Sequence, residues 1–476
     1  MRRQRRMTRR GRLTMALLVA LGFAGGWWTA VHLGTSSRVA PVGTPPLSAV
    51  AAGPPGAADP GPVGAPADVD SVAAVASMPA LPAPLPVPDE VLRRLPPSAR
   101  TGLAGLAAGP AAIATEQIDV PASLSGVLGP LEIEYTVDPD LTRAIGAVLQ
   151  RGRVPLGHVI VMDPLDGRVL SYVSTNPTVF PATRPYPMAS LMKVVTAAAV
   201  LDSAPQAVSR PCRFRGSPYA LSAALLDPPG RGRTRTASFE HALATSNNQC
   251  FAQLAVHDVG ELRMLDELAT LGILEPPGPG HAPGEVDAIG SRLALGELGS
   301  GLAGSRLAPL AAARLAASLA DGKLVSPRWI ARVTDAGGAE LVLPEAAPRK
   351  VLGRRVTREL RSMLVETTLS GTARRAFRDA KGRPLLSSIR VAGKTGSLSG
   401  PNPKGRYEWF IGVAPADAPR VAVATVVVHQ DKRWHGASQI AAGVLRAVFC
   451  GDGACTPETT LAAAPVGTDH AGRNLH

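Results

Sequence analysis

"MASLMKVV", residues 188–195, sets a serine three positions ahead of a lysine in an otherwise apolar run. Residues three apart on a helix share a face, so Ser190 and Lys193 would meet. A serine opening a helix has its Oγ close to free backbone N–H groups and to the positive end of the helix dipole. A lysine one turn on can take the serine proton if burial or a second cation lowers its pKa. Arginine could not, because it stays protonated. The bland reading is a capping serine and a lysine that snorkels to solvent. Spacing alone does not separate the two: with seven lysines in the chain, a serine three before one of them arises by chance roughly 0.4 times.

Two further stretches change the weighing. "ATSNNQCFAQLA" (244–255) puts Ser246 and Asn248 just ahead of an apolar helical run, where they could equally be an N-cap cluster. "VAGKTGSLSG" (391–400) puts Lys394, Thr395, Gly396 and Ser397 at the end of a β-branched strand. A lysine and a hydroxyl on a strand edge suit a substrate carboxylate, and the glycine admits close approach of a ligand or another backbone. Its bland counterpart is a strand ending in a glycine bulge. Lys-Thr-Gly arises by chance roughly 0.03 times here.

The surrounding chain reads as strand (131–136), helix (138–151), hairpin (157–174), a helix at about 189–201, and a long helical middle rich in glycine and proline. Further helices follow near 305–323 and 357–376, then three strands within 389–430 and a last helix at 436–449. Antiparallel strands from both ends of a segment with a helical insert between them predict an α+β domain. Residues 41–110 hold 16 prolines among alanines and glycines, so 34–129 is expected to be a disordered linker.

Seven arginines fall in residues 1–13, read as a basic cytoplasmic segment. The remainder of the chain is only mildly basic, without a basic stripe interleaved with aromatics, so nucleic-acid binding is not expected. Residues 14–33 carry no charge over twenty positions, enough to cross a bilayer as a single helix. They read as an uncleaved signal anchor, with a cleaved signal peptide as the alternative. The expected location is the cytoplasmic membrane, single-pass, with the domain on the extracytoplasmic side. Four cysteines agree with an oxidising compartment. Cys450 and Cys455 are close enough to close a small terminal loop, which would leave Cys212 and Cys250 for each other. Four cysteines allow three connectivities, and the sequence does not choose among them. No cysteines and histidines have zinc-ligand spacing, so no metal or cofactor is expected. Residues 451–476 read as a disordered tail.

Ser-x-x-Lys, Ser-x-Asn 56 residues later and Lys-Thr-Gly a further 148 on form a set. In that set the chain resembles the transpeptidase domain of penicillin-binding proteins, over residues 130–450. "GHVIVMDPLDGRVLSYVS" is similar to that family's first hairpin, "LGSGLAGSRLAPLAAARLAASLADGK" to its Gly-rich turn and following helix, and "SGTARRA" to the stretch before its Lys-Thr-Gly strand. The resemblance implies a five-stranded antiparallel sheet flanked by helices, plus a helical subdomain. It implies Ser190 as acylated nucleophile, Lys193 as its base, Ser246 as proton relay to the leaving amine and Asn248 as binder of the donor amide. Lys394 would keep the relay poised and, with Thr395, hold the donor carboxylate. The N–H groups of Ser190 and Ser397 would form the oxyanion hole, with Gly396 beside them. Implied partners are peptidoglycan stem peptides, β-lactam antibiotics as covalent inhibitors, and a separate glycosyltransferase. The glutamate motif of class A β-lactamases is absent. The expected activity is a serine D,D-transpeptidase; a D,D-carboxypeptidase, a β-lactamase or β-lactam sensor, and a non-catalytic cell-wall scaffold are the alternatives.

Overall fold

The computed structural model describes residues 85–450, apart from 231 and 233, and residues 455–457. The basic segment, the 14–33 anchor, the first part of the expected linker and most of the tail lie outside the described residues. Among the described residues no helix is long and apolar enough to cross a membrane.

The centre is a five-stranded antiparallel sheet. Its strands are β1 (Leu156–Met162), β2 (Val169–Ser174), β3 (Ala392–Pro401), β4 (Lys404–Ala414) and β5 (Val421–His429), ordered β3-β4-β5-β1-β2. Alternation along each strand divides the side chains between two cores. Ile160, Trp409, Ile411, Ala424 and Val426 enter one; Val159, Val161, Phe410, Val423 and Val427 enter the other. Both faces are covered, so β1 and β5 are buried along their full length, and they read as continuous apolar runs rather than alternating ones.

Seven helices matter for the site. They are α1 (Pro139–Arg151), α2 (Met192–Ser203), α3 (Asn248–Leu254), α4 (Arg292–Ser300), α5 (Pro309–Asp321), α6 (Arg354–Leu369) and α7 (Ala437–Phe449). The Asp138 side chain accepts from Leu141 N at 2.9 Å and starts α1 as the Asp-Pro-Asp signal predicts. α5 has proline at its first position and stops at Gly322, φ 81°. α1 and α7 contribute to one core, α2 and α5 to the other. Every residue of α2 from Met192 to Leu201 is buried, because α2 lies inside the domain with α3, α4 and α6 packed around it.

The linker expectation fails from residue 85 onward. Val87, Val91, Leu95 and Ala99, four residues apart, are all buried in the main core, and Ile113 joins them. Two of its prolines, Pro97 and Pro110, sit at the first position of a helix, where a missing N–H costs nothing. Thr115–Ile118 then pairs with Leu131–Tyr135, which pairs with Ile330–Thr334 in a second, three-stranded sheet. Glu116 fastens this segment through Arg94, Arg100 and Tyr135 Oη.

The cysteines pair as Cys212–Cys250 and Cys450–Cys455. The second bridge keeps Cys455 half-buried against the α1/α7 core.

Candidate active site

Ser190 does not open a regular helix. It sits in a tight 3-10 turn, Ala189–Leu191, directly before α2, and its side chain makes no capping bond. The preceding Ala189 is buried with φ 51°, a left-handed conformation rare for a non-glycine residue. Such strain costs about 1–3 kcal/mol and persists only where packing over-determines it. Two glycines supply that packing. A Cβ on Gly301 (φ 69°) would stand 2.0 Å from Ala189 O and 3.1 Å from Ser190 N. A Cβ on Gly396 would stand 3.3 Å from Ala189 Cβ and 3.4 Å from Met188 O. Edge strand β3 and the end of α4 therefore hold the serine turn between them.

Lys193 does not snorkel. It is fully buried, and Nζ lies 2.9 Å from Ser190 Oγ, 2.8 Å from Asn248 Oδ1 and 2.5 Å from Ser300 O. The last two are carbonyl oxygens and can only accept. The orientation of the Asn248 amide follows from its Nδ2, which donates to Tyr219 O at 2.8 Å. A neutral amine has two N–H groups and one lone pair. With both N–H groups given to Asn248 and Ser300, the lone pair is left for the Ser190 hydroxyl. Burial, and then the charge of Lys394, push the Lys193 pKa well below its ordinary value, which favours this neutral form.

The second stretch divides its labour. Asn247 caps α3, its side chain accepting from Cys250 N at 3.2 Å. Its neighbours are thereby released: Asn248 faces Lys193, and Ser246, itself at φ 59°, faces Lys394. Lys394 is fully buried. Its Nζ lies 3.0 Å from Ser246 Oγ and 3.0 Å from Thr395 O, and burial lowers its pKa to about 7. Lys394 backs the site, with its nitrogen against Ser246 and the backbone, and the hydroxyls of Thr395 and Thr372, 2.6 Å apart, line the opening.

Ser190, Ser246, Asn248, Thr395, Gly396 and Ser397 line one cavity of about 430 Å³. Lys193 and Lys394 stand directly behind it, so the structure brings all eight predicted residues together. The sequence reading assigned no role to Ser300, Thr372, Tyr219, Glu408 or Arg433. Ser300 and Thr372 lie in "LGSGLAG" and "SGTARRA", stretches that stood out without yielding a site residue. Glu408 carried no signal. On β4 it pairs with Ser397 across the sheet, so the two side chains share a face. Burial would raise its pKa, but His429 at 3.6 Å and Arg433 at 2.7 and 3.1 Å outweigh that and hold it at about 2. Among the described residues no three His, Cys, Asp or Glu side chains converge as a metal site.

A buried nucleophile–base pair, a second lysine behind a serine relay, and a strand edge beside both are one constellation. A family model described as the penicillin binding protein transpeptidase domain matches residues 157–449, spanning all three motifs. The chain belongs to the penicillin-binding protein transpeptidase family. The peptidoglycan D,D-transpeptidase PbpA of Mycobacterium tuberculosis is 26% identical over 358 residues, covering 67% of this chain and 71% of that protein. The crystal structure of PbpA from M. tuberculosis superposes with a TM-score of 0.55 at 23% identity, over 66% of this chain and 81% of that one. A structure of the same protein described as a penicillin G acyl-enzyme complex gives 0.53 at 24%, over 66% and 79%. At these identities the solved structures speak to the fold, a mixed α/β transpeptidase fold with a five-stranded antiparallel sheet.

Proposed function

We propose that this protein is a serine D,D-transpeptidase that acts on peptidoglycan stem peptides through an acyl-enzyme on Ser190. The observation that carries the reading is the Lys193 environment: Nζ is fully buried 2.9 Å from Ser190 Oγ, and its other neighbours are two carbonyl oxygens, so in the neutral form that burial favours its lone pair is left for the serine. Lone-pair access to a serine at hydrogen-bond distance defines a general base, which contributes about 10²–10⁴ in rate.

In the first half-reaction Ser190 Oγ bonds to the carbonyl carbon of the donor's penultimate residue while its proton passes to Lys193. The N–H groups of Ser190 and Ser397 stabilise the resulting oxyanion, each worth about 3 kcal/mol in the transition state. The C–N bond then breaks. Ser246 gives its proton to the leaving amine and is reprotonated from Lys394. Edge strand β3 offers main-chain groups to an extended donor, Asn248 binds its amide, and Thr395 with Thr372 holds its terminal carboxylate. In the second half-reaction an acceptor amine attacks the ester carbonyl and gives a proton through Ser246 back to Lys394, the C–O bond to Ser190 breaks as the new amide forms, and Ser190 takes its proton back from Lys193.

Water in place of the amine would make the protein a carboxypeptidase. One observation favours transfer over rapid hydrolysis. Among the described residues the one carboxylate lining the cavity is Glu408, which at a pKa of about 2 is too weak a base to activate water at neutral pH. The same fact weighs against a β-lactamase. Anchorage through residues 14–33, with the domain outside the cytoplasmic membrane, belongs to this proposal. Its support is the uncharged run and the two disulfides, which form in oxidising compartments. A separate glycosyltransferase would supply the glycan strands. The test offers a stem pentapeptide with and without an amine acceptor. A transpeptidase gives the cross-linked product in excess of the hydrolysed one, whereas a product mixture that ignores the acceptor refutes it.

A further inference from the structure

Asn248 and Gln249 are consecutive on α3 and face different ways. Asn248 reaches Lys193. Gln249 is fully buried. Its Nε2 donates to Ser217 O at 2.7 Å and to Arg215 O at 2.8 Å, and its Oε1 accepts from Arg215 N at 3.3 Å. Gln253, four positions on and so on the same side of the helix, donates through Nε2 to Arg213 O at 3.2 Å and Leu225 O at 3.3 Å. The Cys212–Cys250 bridge pins the start of the same segment. Residues 212–225 are thereby strapped to α3. Ser217 O belongs to a tight turn: it also accepts from Ala220 N at 3.2 Å, which closes a β-turn over residues 217–220 with Pro218 at the position that favours proline. The carbonyls of the two central residues both meet Asn248. Pro218 O accepts from its backbone N at 2.8 Å, and Tyr219 O accepts from its Nδ2 at 2.8 Å. Gln249 thus holds the turn that holds its neighbour.

We infer that Gln249 is a positioning residue for acylation: through the turn at residues 217–220 it fixes the Asn248 amide so that its oxygen, not its nitrogen, faces Lys193. The inference rests on the acyl-transfer reading above. The two ends of a primary amide have nearly the same shape, so hydrogen bonds rather than packing choose its orientation. With Tyr219 O in place, Nδ2 is taken and Oδ1 is left for Lys193. With the turn released that bias is lost, and an amide turned over aims Nδ2 at the lysine. The lysine lone pair then accepts from Asn248 instead of from Ser190, and the base is occupied. Gln249 touches neither substrate nor reacting atoms and acts through Asn248. An N–H aimed at Nζ favours the neutral amine and repels the ammonium, where a carbonyl oxygen does the reverse. Turning the amide therefore moves the acid limb of acylation to lower pH while the plateau rate falls. The charge that acts on Lys193, that of Lys394 on β3, is the same in every variant below.

The test is stopped-flow acylation of the full chain by a fluorescent penicillin over a range of pH, with the folded fraction of each variant read by denaturant unfolding. Gln249→Met removes the side-chain hydrogen bonds at nearly constant volume. It should acylate about 10–10² more slowly at its plateau, with the acid limb displaced to lower pH by on the order of one unit. In an Asn248→Ala background the same substitution should change the rate by less than about twofold, because the amide it orients is gone. Gln249→Asn, which withdraws the amide from the turn by one methylene, carries the same expectations. Gln253→Met, which frees the strap away from the turn, should lower stability and leave the acid limb in place. An undisplaced limb in Gln249→Met, the same displacement in Gln253→Met, or a loss of equal factor with and without the Asn248 side chain overturns the inference and leaves the acyl-transfer reading standing. Absence of acylation in the unaltered protein overturns that reading and the inference with it.

Discussion

Replacing Asn248 by aspartate changes one atom and tests the lone-pair argument directly. Asn248 Oδ1 is 2.8 Å from Lys193 Nζ, so Asn248→Asp sets a full negative charge at that distance in a buried site. At an effective dielectric constant of about 20 the attraction for a protonated lysine is about 6 kcal/mol. Every 1.36 kcal/mol is a factor of ten in the protonation equilibrium, so the neutral amine would become scarcer by up to about 10⁴. Desolvation of the new carboxylate opposes this, as does loss of the Nδ2 bond to Tyr219 O, and about 10² is the lower end expected. The assay is stopped-flow acylation by a fluorescent penicillin over a range of pH. The variant should acylate about 10²–10⁴ more slowly near pH 7 and recover about tenfold per pH unit as the medium becomes alkaline. Asn248→Ala, which removes the same acceptor without adding charge, should be slow without that recovery. Wild-type rates in Asn248→Asp, or a loss of the same factor at every pH, would refute the claim that a neutral Lys193 is the base.

Four further outcomes follow from the same geometry. Ser246→Ala should slow acylation by about 10²–10³ through loss of the proton relay while leaving the thermal midpoint of unfolding nearly unchanged, measured by the same penicillin assay and by calorimetry. Gly301→Ala should cost about 2–5 kcal/mol, because it combines a left-handed φ with a Cβ 2.0 Å from Ala189 O; denaturant unfolding reads the stability, and labelling should fall below what the folded fraction explains. Lys394 is held at about 7 against an ordinary 10.5, so the unfolded chain binds more protons between those values. Stability should therefore rise with pH across that window; Lys193, also held well below its ordinary value, adds to the same rise, so unfolding of Lys394→Met should show a shallower rise than the unaltered protein. The Cys212–Cys250 bridge closes a separation of 38 residues and anchors α3 two positions beyond Asn248. Its double serine variant should lose about 2–4 kcal/mol on denaturant unfolding.

What the sequence makes legible here is chemistry with a local signature. Ser190 and Lys193 are neighbours on any helix; Asp138 and Pro139 start α1 as written; "VAGKTGS" reads as strand, although the motif opens β3 and the strand runs on to Pro401 where the sequence suggested an end. What it hides depends on elements that meet only in the folded chain. Lys193 is buried because α3 and α4 close over α2 and bring the Asn248 and Ser300 oxygens from 55 and 107 residues away. Nothing within eight residues could distinguish that lysine from a snorkelling one. Asn247 hid in a different way. It performs the capping that the bland reading assigned to its neighbours, and only the backbone shows which of the three does so. The segment from residue 85 misled through composition. Its prolines suggest a linker, but Pro88, Pro96, Pro97 and Pro110 stand at helix starts, and the four-residue spacing of Val87, Val91, Leu95 and Ala99 carries the core contact. Glu408 and Arg433 are 25 residues apart and unremarkable in sequence; only the pairing of β3 with β4 and the start of α7 brings them to the cavity.

The central claim is that Ser190 is the residue acylated. Incubating the full chain with a penicillin, digesting it and mapping the adduct by mass spectrometry tests this most directly. The account predicts one penicilloyl group, on Ser190, that forms with the unaltered protein and is absent from Ser190→Ala. No adduct on the folded protein, or an adduct that persists in Ser190→Ala, would contradict it.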